Sequence, residues 1–195
     1  MPPLYAHDPF LAIHRALQAR WLDLPMAASS LAGLGAMVAL LGGIVFALRE
    51  RSWRGWAAVA VPFLAGLLVQ GALVTLVKDL VRSPRPLAVY GAGLVRVGLE
   101  PLRGLGFPSG HSAGAALLAA YGCSVYGRSA AWLWGFAFLV GVSRVYVGAH
   151  WVTDVVGGWA LGAILGLTAG AIGAKLPPAG HLSRRRSART LDIGG

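Results

Sequence analysis

Three short segments of this chain place cationic and titratable side chains beside long apolar runs. The first runs from Lys78 to Pro86, the second is Pro108-Ser-Gly-His111, and the third runs from Ser143 to Asp154. Ionisable groups are costly at membrane depth, so their presence there marks a functional site by default. Cations, two histidines and the carboxylate of Asp154 suit one kind of chemistry, which is to hold a phosphate group and attack its phosphorus.

The first segment offers two phosphate ligands of different character. Lys78 is a point charge, whereas the Arg85 guanidinium is a planar fork that matches two phosphate oxygens. Pro84 and Pro86 prevent a continuous helix, so the chain can turn and bring both cations to one phosphate. The alternative is that such cations reach up to lipid headgroups, and this interpretation suits Arg82 better than the other two.

The second segment has the composition of a helix start that binds an anion. Ser109 is a good N-cap residue, and the unpaired N–H groups of a first helical turn attract negative charge. Gly110 would allow a phosphate oxygen to come close, and His111 would lie in the first turn, where it can donate a proton.

The third segment carries a histidine and a carboxylate on one helical face. His150 and Asp154 are four residues apart, so the carboxylate can orient the imidazole. Arg144 precedes them, and Gly148 lies between, where the chain can turn from one helix into the next. A His–Asp pair can also bind a metal, but no further ligand cluster accompanies it, so neither a metal nor a cofactor is expected.

In their order and internal spacing, the three segments resemble the tripartite signature of the type 2 phosphatidic acid phosphatase (PAP2) superfamily. The resemblance covers residues 78–154. It implies that His150 is the nucleophile that takes the phosphoryl group, that Asp154 orients it, and that His111 protonates the leaving oxygen. It also assigns five residues to phosphate binding: Lys78, Arg85, Ser109, Gly110 and Arg144.

Five predominantly apolar runs indicate the scaffold that positions these residues. Each has close to the ~20 residues that cross a bilayer, so the sequence predicts an all-α integral membrane bundle within a single domain, residues 1–175. A polar, basic tail follows at 176–195. Many relatives of the resembled family have six spans rather than five. The predicted spans are about 26–48, 56–77, 110–127, 129–148 and 153–174.

Two further patterns concern how helices pack. Residues 8–24 are amphipathic but short and charged, which predicts an interfacial helix; the alternative is a helix packed against the bundle. Gly158, Gly162, Gly166 and Gly170 recur every fourth residue, which predicts a ridge along which a second helix approaches closely.

The charge distribution bears on partners and orientation. The formal net charge of +10 is attributed to loops that face anionic headgroups, since no nucleic-acid-binding pattern accompanies it. Lys and Arg concentrate in the 49–54 loop, at Arg128 and in the tail, once the phosphate-binding cations are set aside. This bias predicts an inner-membrane protein with a cytoplasmic C-terminus and the three segments at the extracytoplasmic face. The lone Cys123 cannot form an intrachain disulfide.

The sequence therefore favours a metal-independent membrane phosphatase whose partners are a lipid phosphate or diphosphate and the surrounding lipids. The resemblance to small bacterial members of the family implies undecaprenyl diphosphate as the first candidate substrate, with phosphatidylglycerophosphate, phosphatidate and lipid A as alternatives. Arg96 and Arg103 could contact a second phosphate or merely lipid headgroups. A non-catalytic lipid-phosphate sensor or transporter is the other class. A third class, the vanadate-dependent haloperoxidases, shares the signature in soluble proteins, and the five apolar runs make it a remote alternative. The oligomeric state and the pathway stay open.

Overall fold

The computed structural model describes residues 5–91, 93 and 104–175 of the chain. These residues contain eight α-helices. No strand occurs within these residues, which confirms the all-helical prediction. A 3-10 turn, Gly127–Ala130, precedes the seventh helix. The helices are α1 Phe10–Leu17, α2 Arg20–Ala32, α3 Gly35–Arg49, α4 Trp53–Val81, α5 Pro86–Tyr90, α6 Gly110–Tyr126, α7 Leu133–Tyr146 and α8 Val152–Lys175.

Helix α6 is the centre of the bundle. Every residue from Ser112 to Gly122 is buried, and α3, α4, α7 and α8 all contact this helix. Its small and apolar side chains are spread around the whole circumference, which is the pattern of a helix enclosed on all sides. Because α6 begins at Gly110, the second signature segment lies at one end of the bundle core.

The glycine ridge of α8 packs directly on the backbone of α6. A Cβ at Gly158 would lie 2.5 Å from the carbonyl oxygen of Ser109, and one at Gly166 would lie 2.5 Å from that of Leu117; at Gly162 it would collide with the carbonyl of Ala113. This confirms the predicted close approach. The contacts advance in the same direction along both helices, so α6 and α8 run parallel and their N-terminal ends lie together.

The predicted span 26–48 is two helices rather than one. The axes of α2 and α3 differ by 80°, with the break at Gly33 and Leu34. A side chain at Gly33 would collide with Val140, and its Cβ would lie 3.1 Å from Cδ2 of His111. The sequence of residues 26–48 does not predict this bend, because the run is uncharged throughout and its hydropathy does not distinguish a broken helix from a straight one.

The predicted helix over residues 8–24 is also divided. Helix α1 ends at Leu17, and residues 20–24 belong to α2. Phe10 and His14 of α1 are fully buried, and His14 Nδ1 lies 2.9 Å from the carbonyl oxygen of Val145 in α7. Helix α1 is thus packed against the bundle, as the alternative interpretation had it. Its depth relative to the membrane interface stays a prediction.

Long apolar helices and exposed apolar side chains identify an integral membrane protein. By length and composition, two helical stretches of the described residues can cross a membrane, Trp53–Tyr90 and Val152–Lys175, and the bent α2–α3 pair makes a third if it counts as one span. Helix α7 is apolar but shorter. Large apolar side chains such as Leu68 and Ile164 are exposed, as expected of a lipid-facing surface. The count of five spans stays a prediction.

Candidate active site

His150 and Asp154 form a buried hydrogen-bonded pair at the start of α8. Nδ1 of His150 lies 3.0 Å from Oδ2 of Asp154, and both side chains are at most 2% exposed. A carboxylate only accepts hydrogen bonds, so Nδ1 carries the proton and the lone pair of the imidazole is on Nε2. The predicted pairing is therefore realised, and it leaves the lone pair of Nε2 at the opposite edge of the ring.

A tight turn between α7 and α8 presents His150. Gly148 has a φ of 73°, which a residue with a side chain adopts only with strain. The carbonyl oxygen of Arg144 accepts hydrogen bonds from the N–H of Ala149 at 3.0 Å and from that of His150 at 3.3 Å. The predicted turn at Gly148 thus folds the chain back on Arg144, and it brings the buried guanidinium and the imidazole of the third segment together.

Cations from all three segments act on His150. Burial holds the pKa of His150 well below its usual value, and the charges of Arg85, Arg144, Lys78 and His111 lower it further. A depressed pKa keeps the imidazole neutral, which is the form that can act as a nucleophile. The same cations that would attract a phosphate therefore also keep the His150 imidazole neutral.

Lys78 and Arg85 converge, although seven residues separate them in the sequence. Lys78 Nζ donates to the carbonyl oxygens of Leu105 at 2.6 Å and Gly106 at 3.2 Å, and Arg85 Nε donates to the Leu105 oxygen at 3.4 Å. Arg82 instead ends α4 in a left-handed conformation and is exposed, with its Nε bonded to the carbonyl of Asp79. This arrangement matches the prediction that Lys78 and Arg85, but not Arg82, share a site.

The second segment joins the third through the backbone. Ser109 caps α6 as predicted: its Oγ accepts from the N–H of Ser112 at 3.4 Å and from the Ser112 hydroxyl at 3.0 Å. The Ser109 N–H donates to the carbonyl oxygen of Asp154 at 3.0 Å. Gly110 begins the helix, and its carbonyl oxygen accepts a hydrogen bond from Nε2 of Gln70 at 3.4 Å.

Several residues around the site were not found from the sequence. Gly106 lies close to the His150–Asp154 pair, since a Cβ on Gly106 would lie 2.8 Å from Oδ2 of Asp154. Ser30 of α2 is buried and accepts a hydrogen bond from Nη1 of Arg144. Trp151 donates from Nε1 to the carbonyl of Pro84 at 2.7 Å, which ties the first segment to the third. Only Gly106 could have been noticed in the sequence, because it lies two residues before the Pro108-Ser-Gly-His111 segment. The contacts of Ser30 and Trp151 join positions that are far apart in the sequence.

The arrangement combines a neutral buried imidazole, an orienting carboxylate and converging cations. Phosphoryl transfer needs mainly positioning and charge stabilisation, and these groups supply both. Within residues 5–91, 93 and 104–175, no three His, Cys, Asp or Glu side chains are grouped as metal ligands would be. Arg96 and Arg103, considered above for a second phosphate, lie outside the described residues.

Comparison with known families matches residues 59–175 to the PAP2 superfamily, a range that exceeds half of the chain. Undecaprenyl-diphosphatase of Sulfolobus acidocaldarius is 44% identical over 61 residues, which are 29% of this chain and 28% of that protein. Phosphatidylglycerophosphatase B of Bacillus subtilis is 66% identical over 29 residues, 15% of this chain and 14% of that protein. These two matches span only a minor part of each relative.

Longer similarities extend over nearly the whole chain. Decaprenylphosphoryl-5-phosphoribose phosphatase of Mycobacterium tuberculosis is 29% identical over 174 residues, 84% of this chain and 90% of that protein. The crystal structure of a transmembrane PAP2-type phosphatidylglycerolphosphate phosphatase from Bacillus subtilis has the same fold, with a TM-score of 0.66, 24% identity and 87% of each chain covered. Aquifex aeolicus LpxE gives a TM-score of 0.64 and 26% identity over 90% of this chain and 100% of that one. The chain is therefore an integral membrane protein that belongs to the PAP2 superfamily.

Proposed function

We propose that this protein is a lipid phosphatase that hydrolyses a lipid phosphate or diphosphate through a phosphohistidine at His150. The observation that carries the proposal is the buried His150–Asp154 pair, which lies within electrostatic reach of Lys78, Arg85 and Arg144. Binding alone needs cations but no oriented nucleophile, so this pair favours an enzyme over a sensor or transporter. The names of the relatives, all of them phosphatases, support the same class.

In the first step, Nε2 of His150 attacks phosphorus while the bond to the lipid oxygen breaks. His111 gives its proton to that leaving oxygen, so the lipid alcohol or lipid monophosphate leaves with this oxygen protonated. Asp154 keeps Nδ1 of the imidazole protonated and stabilises the positive charge that develops on the ring. Lys78, Arg85 and Arg144 neutralise the equatorial oxygens, with Ser109 and Gly110 at the start of α6 completing the phosphate site.

In the second step, water replaces histidine on the phosphorus. His111, now neutral, takes a proton from the attacking water. The bond between Nε2 and phosphorus breaks, inorganic phosphate leaves, and the imidazole returns to its starting tautomer. The covalent intermediate divides one difficult displacement into two easier ones.

We favour undecaprenyl diphosphate as the substrate. The relative from Sulfolobus acidocaldarius is named an undecaprenyl-diphosphatase, and its matched region is 44% identical. A polyprenyl-linked sugar phosphate is a second candidate, because the relative that covers 84% of this chain is named decaprenylphosphoryl-5-phosphoribose phosphatase. Phosphatidylglycerophosphate, phosphatidate and lipid A phosphates are the remaining candidates. All of these share a phosphate at the end of a long apolar chain.

Metal independence is part of the proposal. The site carries three cations, and no three His, Cys, Asp or Glu side chains of the described residues group as metal ligands, whereas Mg²⁺ is usually held by carboxylates and substrate phosphates together. The cations already supply the charge that a metal would bring. We expect phosphate release to continue in EDTA; activity that EDTA abolishes and Mg²⁺ restores would contradict this part.

The decisive experiment is phosphate release by the purified protein in detergent, with EDTA present. The panel comprises undecaprenyl diphosphate, a decaprenyl-linked ribose phosphate, phosphatidylglycerophosphate, phosphatidate and lipid A, and His150→Ala is the negative control. We expect turnover that is fastest on undecaprenyl diphosphate and absent in the variant. Specific lipid binding with no phosphate release from any lipid would instead identify a sensor or transporter.

Orientation and domain limits complete the proposal. We place residues 1–175 in one phosphatase domain of the inner membrane, with its site on the extracytoplasmic side and the tail from residue 176 in the cytoplasm. The tail lies outside the described residues, so the support is the Lys and Arg distribution. Alkaline phosphatase is active only outside the cytoplasm, so an alkaline phosphatase fused after residue 195 should be inactive in cells. An active fusion would place the C-terminus outside the cytoplasm and reverse the proposed topology.

A further inference from the structure

Asp8 reaches across the fold to the first turn of α8. Its Oδ1 accepts a hydrogen bond from the N–H of Val152 at 3.1 Å, and its Oδ2 accepts one from the N–H of Thr153 at 2.8 Å. These partners are 144 and 145 residues away in the sequence. Both belong to the same turn as Asp154, and His150 lies immediately before it.

Two carboxylates together cap this turn. The first amide groups of a helix have no partner within the helix and need an outside acceptor. The N–H of Trp151 donates to Oδ2 of Asp154 at 3.1 Å, while the next two amide groups donate to Asp8. Without Asp8, the amides of Val152 and Thr153 would lose their acceptor directly beside His150.

Aromatic contacts hold the N-terminal segment in place on both sides of Asp8. The ring of Tyr5 stacks on Trp151 with centroids 4.6 Å apart, and the ring of Phe10 packs against Trp151 at 5.4 Å. Phe10 and Trp151 are at most 1% exposed. The segment is thus fixed on the residue that follows His150, and the Asp8 carboxylate is aimed at the α8 amides by contacts that precede and follow it.

We propose that Asp8 is a positioning residue for the nucleophile: by capping α8 from the N-terminal segment, it holds His150 and Asp154 in their mutual geometry. This inference rests on the proposed function, because it gives His150 the role of nucleophile. Asp8 acts on the position of His150 through the α8 backbone, whose first amides its two oxygens cap. Its substitution should therefore slow the chemical step without weakening phosphate binding.

A purely structural role for Asp8 makes a different prediction. Asp8 also accepts a hydrogen bond from the N–H of Phe10 at 2.9 Å, so it contributes to the start of α1. If that were its whole contribution, Asp8→Ala would loosen α1 and lower the amount of folded protein. The turnover number of each folded molecule would then stay unchanged. A split between kcat and KM separates the two roles.

The kinetic test compares Asp8→Ala, Asp8→Asn and the control Asp79→Asn in detergent with the most active lipid. Displacing reacting groups by about an ångström costs up to ~10²-fold, so we expect a roughly tenfold or larger fall in kcat for Asp8→Ala. KM and inhibition by inorganic phosphate should change less than about twofold. Asp8→Asn keeps one oxygen acceptor for the two α8 amides, so its kcat should lie between those of wild type and Asp8→Ala. Asp79 is exposed and near the site, and Asp79→Asn should have no effect.

Wild-type kcat in Asp8→Ala, with a wild-type pH profile, would overturn the inference while leaving the proposed function intact. Equal losses in Asp8→Asn and Asp8→Ala would also overturn it, since the acceptor oxygen that Asn retains would then contribute nothing. A wild-type protein that releases no phosphate from any lipid would instead defeat the proposed function.

Amide hydrogen exchange supplies a readout that needs no turnover. In Asp8→Ala we expect faster exchange in peptides that cover Val152 and Thr153, with no change in the rest of α8. Peptides that cover α6 serve as the internal reference. Unchanged exchange at these two amides would refute the capping contact itself, whatever the activity of the protein.

Discussion

Oδ2 of Asp154 lies 3.0 Å from Nδ1 of His150 and 3.1 Å from the backbone N–H of Trp151. One oxygen thus fixes both the imidazole and the backbone that carries it. Because the two acceptor contacts share an atom, rotation of the carboxylate would disturb ring and turn together. The pair is a single geometric unit, and substitutions of its two members should differ in kind as well as in size.

We expect His150→Ala to remove turnover, by ~10³-fold or more, while inorganic phosphate still binds through the cations. Asp154→Asn should cost less, because it misorients the imidazole and favours the wrong tautomer without deleting the nucleophile. The measurement is phosphate release together with the inhibition constant for inorganic phosphate. Full activity in His150→Ala, or a phosphoenzyme label that maps to His111, would contradict these assignments.

His111→Ala should show a loss that depends on the leaving group. A general acid matters most when the departing oxygen is strongly basic, so hydrolysis of a lipid alkyl phosphate should fall much further than that of an aryl phosphate such as p-nitrophenyl phosphate. The check is the ratio of the two rates in variant and wild type. Equal losses on both substrates would show that His111 holds the phosphate and does not protonate the leaving group.

Activity should persist to a lower pH than a histidine with an ordinary pKa would allow. Burial and the charges of Arg85, Arg144 and Lys78 hold the pKa of His150 well below its usual value. The neutral ring is the nucleophile, so activity is lost only as the pH falls through this lowered pKa. We therefore expect kcat/KM to persist below the ordinary histidine pKa of about 6.5.

Removal of one cation should move the acid limb of the pH profile. Arg85→Gln deletes a charge that lowers the pKa of His150, so the acid limb should shift to higher pH even though overall activity falls. Arg82→Gln is the matched control, since Arg82 is exposed and does not act on His150. An acid limb that stays in place in Arg85→Gln would mean that burial alone determines the titration.

Gly162→Ala should destabilise the bundle. Its Cβ would collide with the carbonyl oxygen of Ala113 and force α6 and α8 apart. Overpacking of this kind costs about 1–3 kcal/mol, and we expect a lower thermal midpoint in detergent. Gly71→Ala is the control, because nothing lies within 4 Å of a Cβ there. Similar midpoints for the two variants would show that the glycine ridge does not determine the helix spacing.

Local patterns in the sequence were sufficient for much of this structure. The spacing of His150 and Asp154 placed them on one face, the Ser109 cap gave the start of α6, and glycines every fourth residue predicted the α6–α8 contact. Each of these features depends on residues that are about one helical turn apart in the sequence. Their geometry follows from the helix repeat itself and needs no knowledge of the tertiary fold.

Features that depend on distant contacts could not be predicted. The bend at Gly33 lies against His111 and Val140, and the run around it is uncharged on both sides of the break. The hydrogen bond from Arg144 to Ser30 joins positions 114 residues apart. No periodicity encodes such pairs, so the sequence did not identify Ser30, Gly106 or Asp8 as neighbours of His150 and Arg144.

The parallel arrangement of α6 and α8 has an electrostatic consequence. Aligned peptide dipoles leave about half a positive charge at a helix N-terminus, and here two such ends lie side by side. At α8 that partial charge is offset by the carboxylates of Asp8 and Asp154. At α6 the capping side chain is the neutral hydroxyl of Ser109. The combined field is therefore unequal, and it favours an arriving anion at the first turn of α6, beside His111, over the first turn of α8.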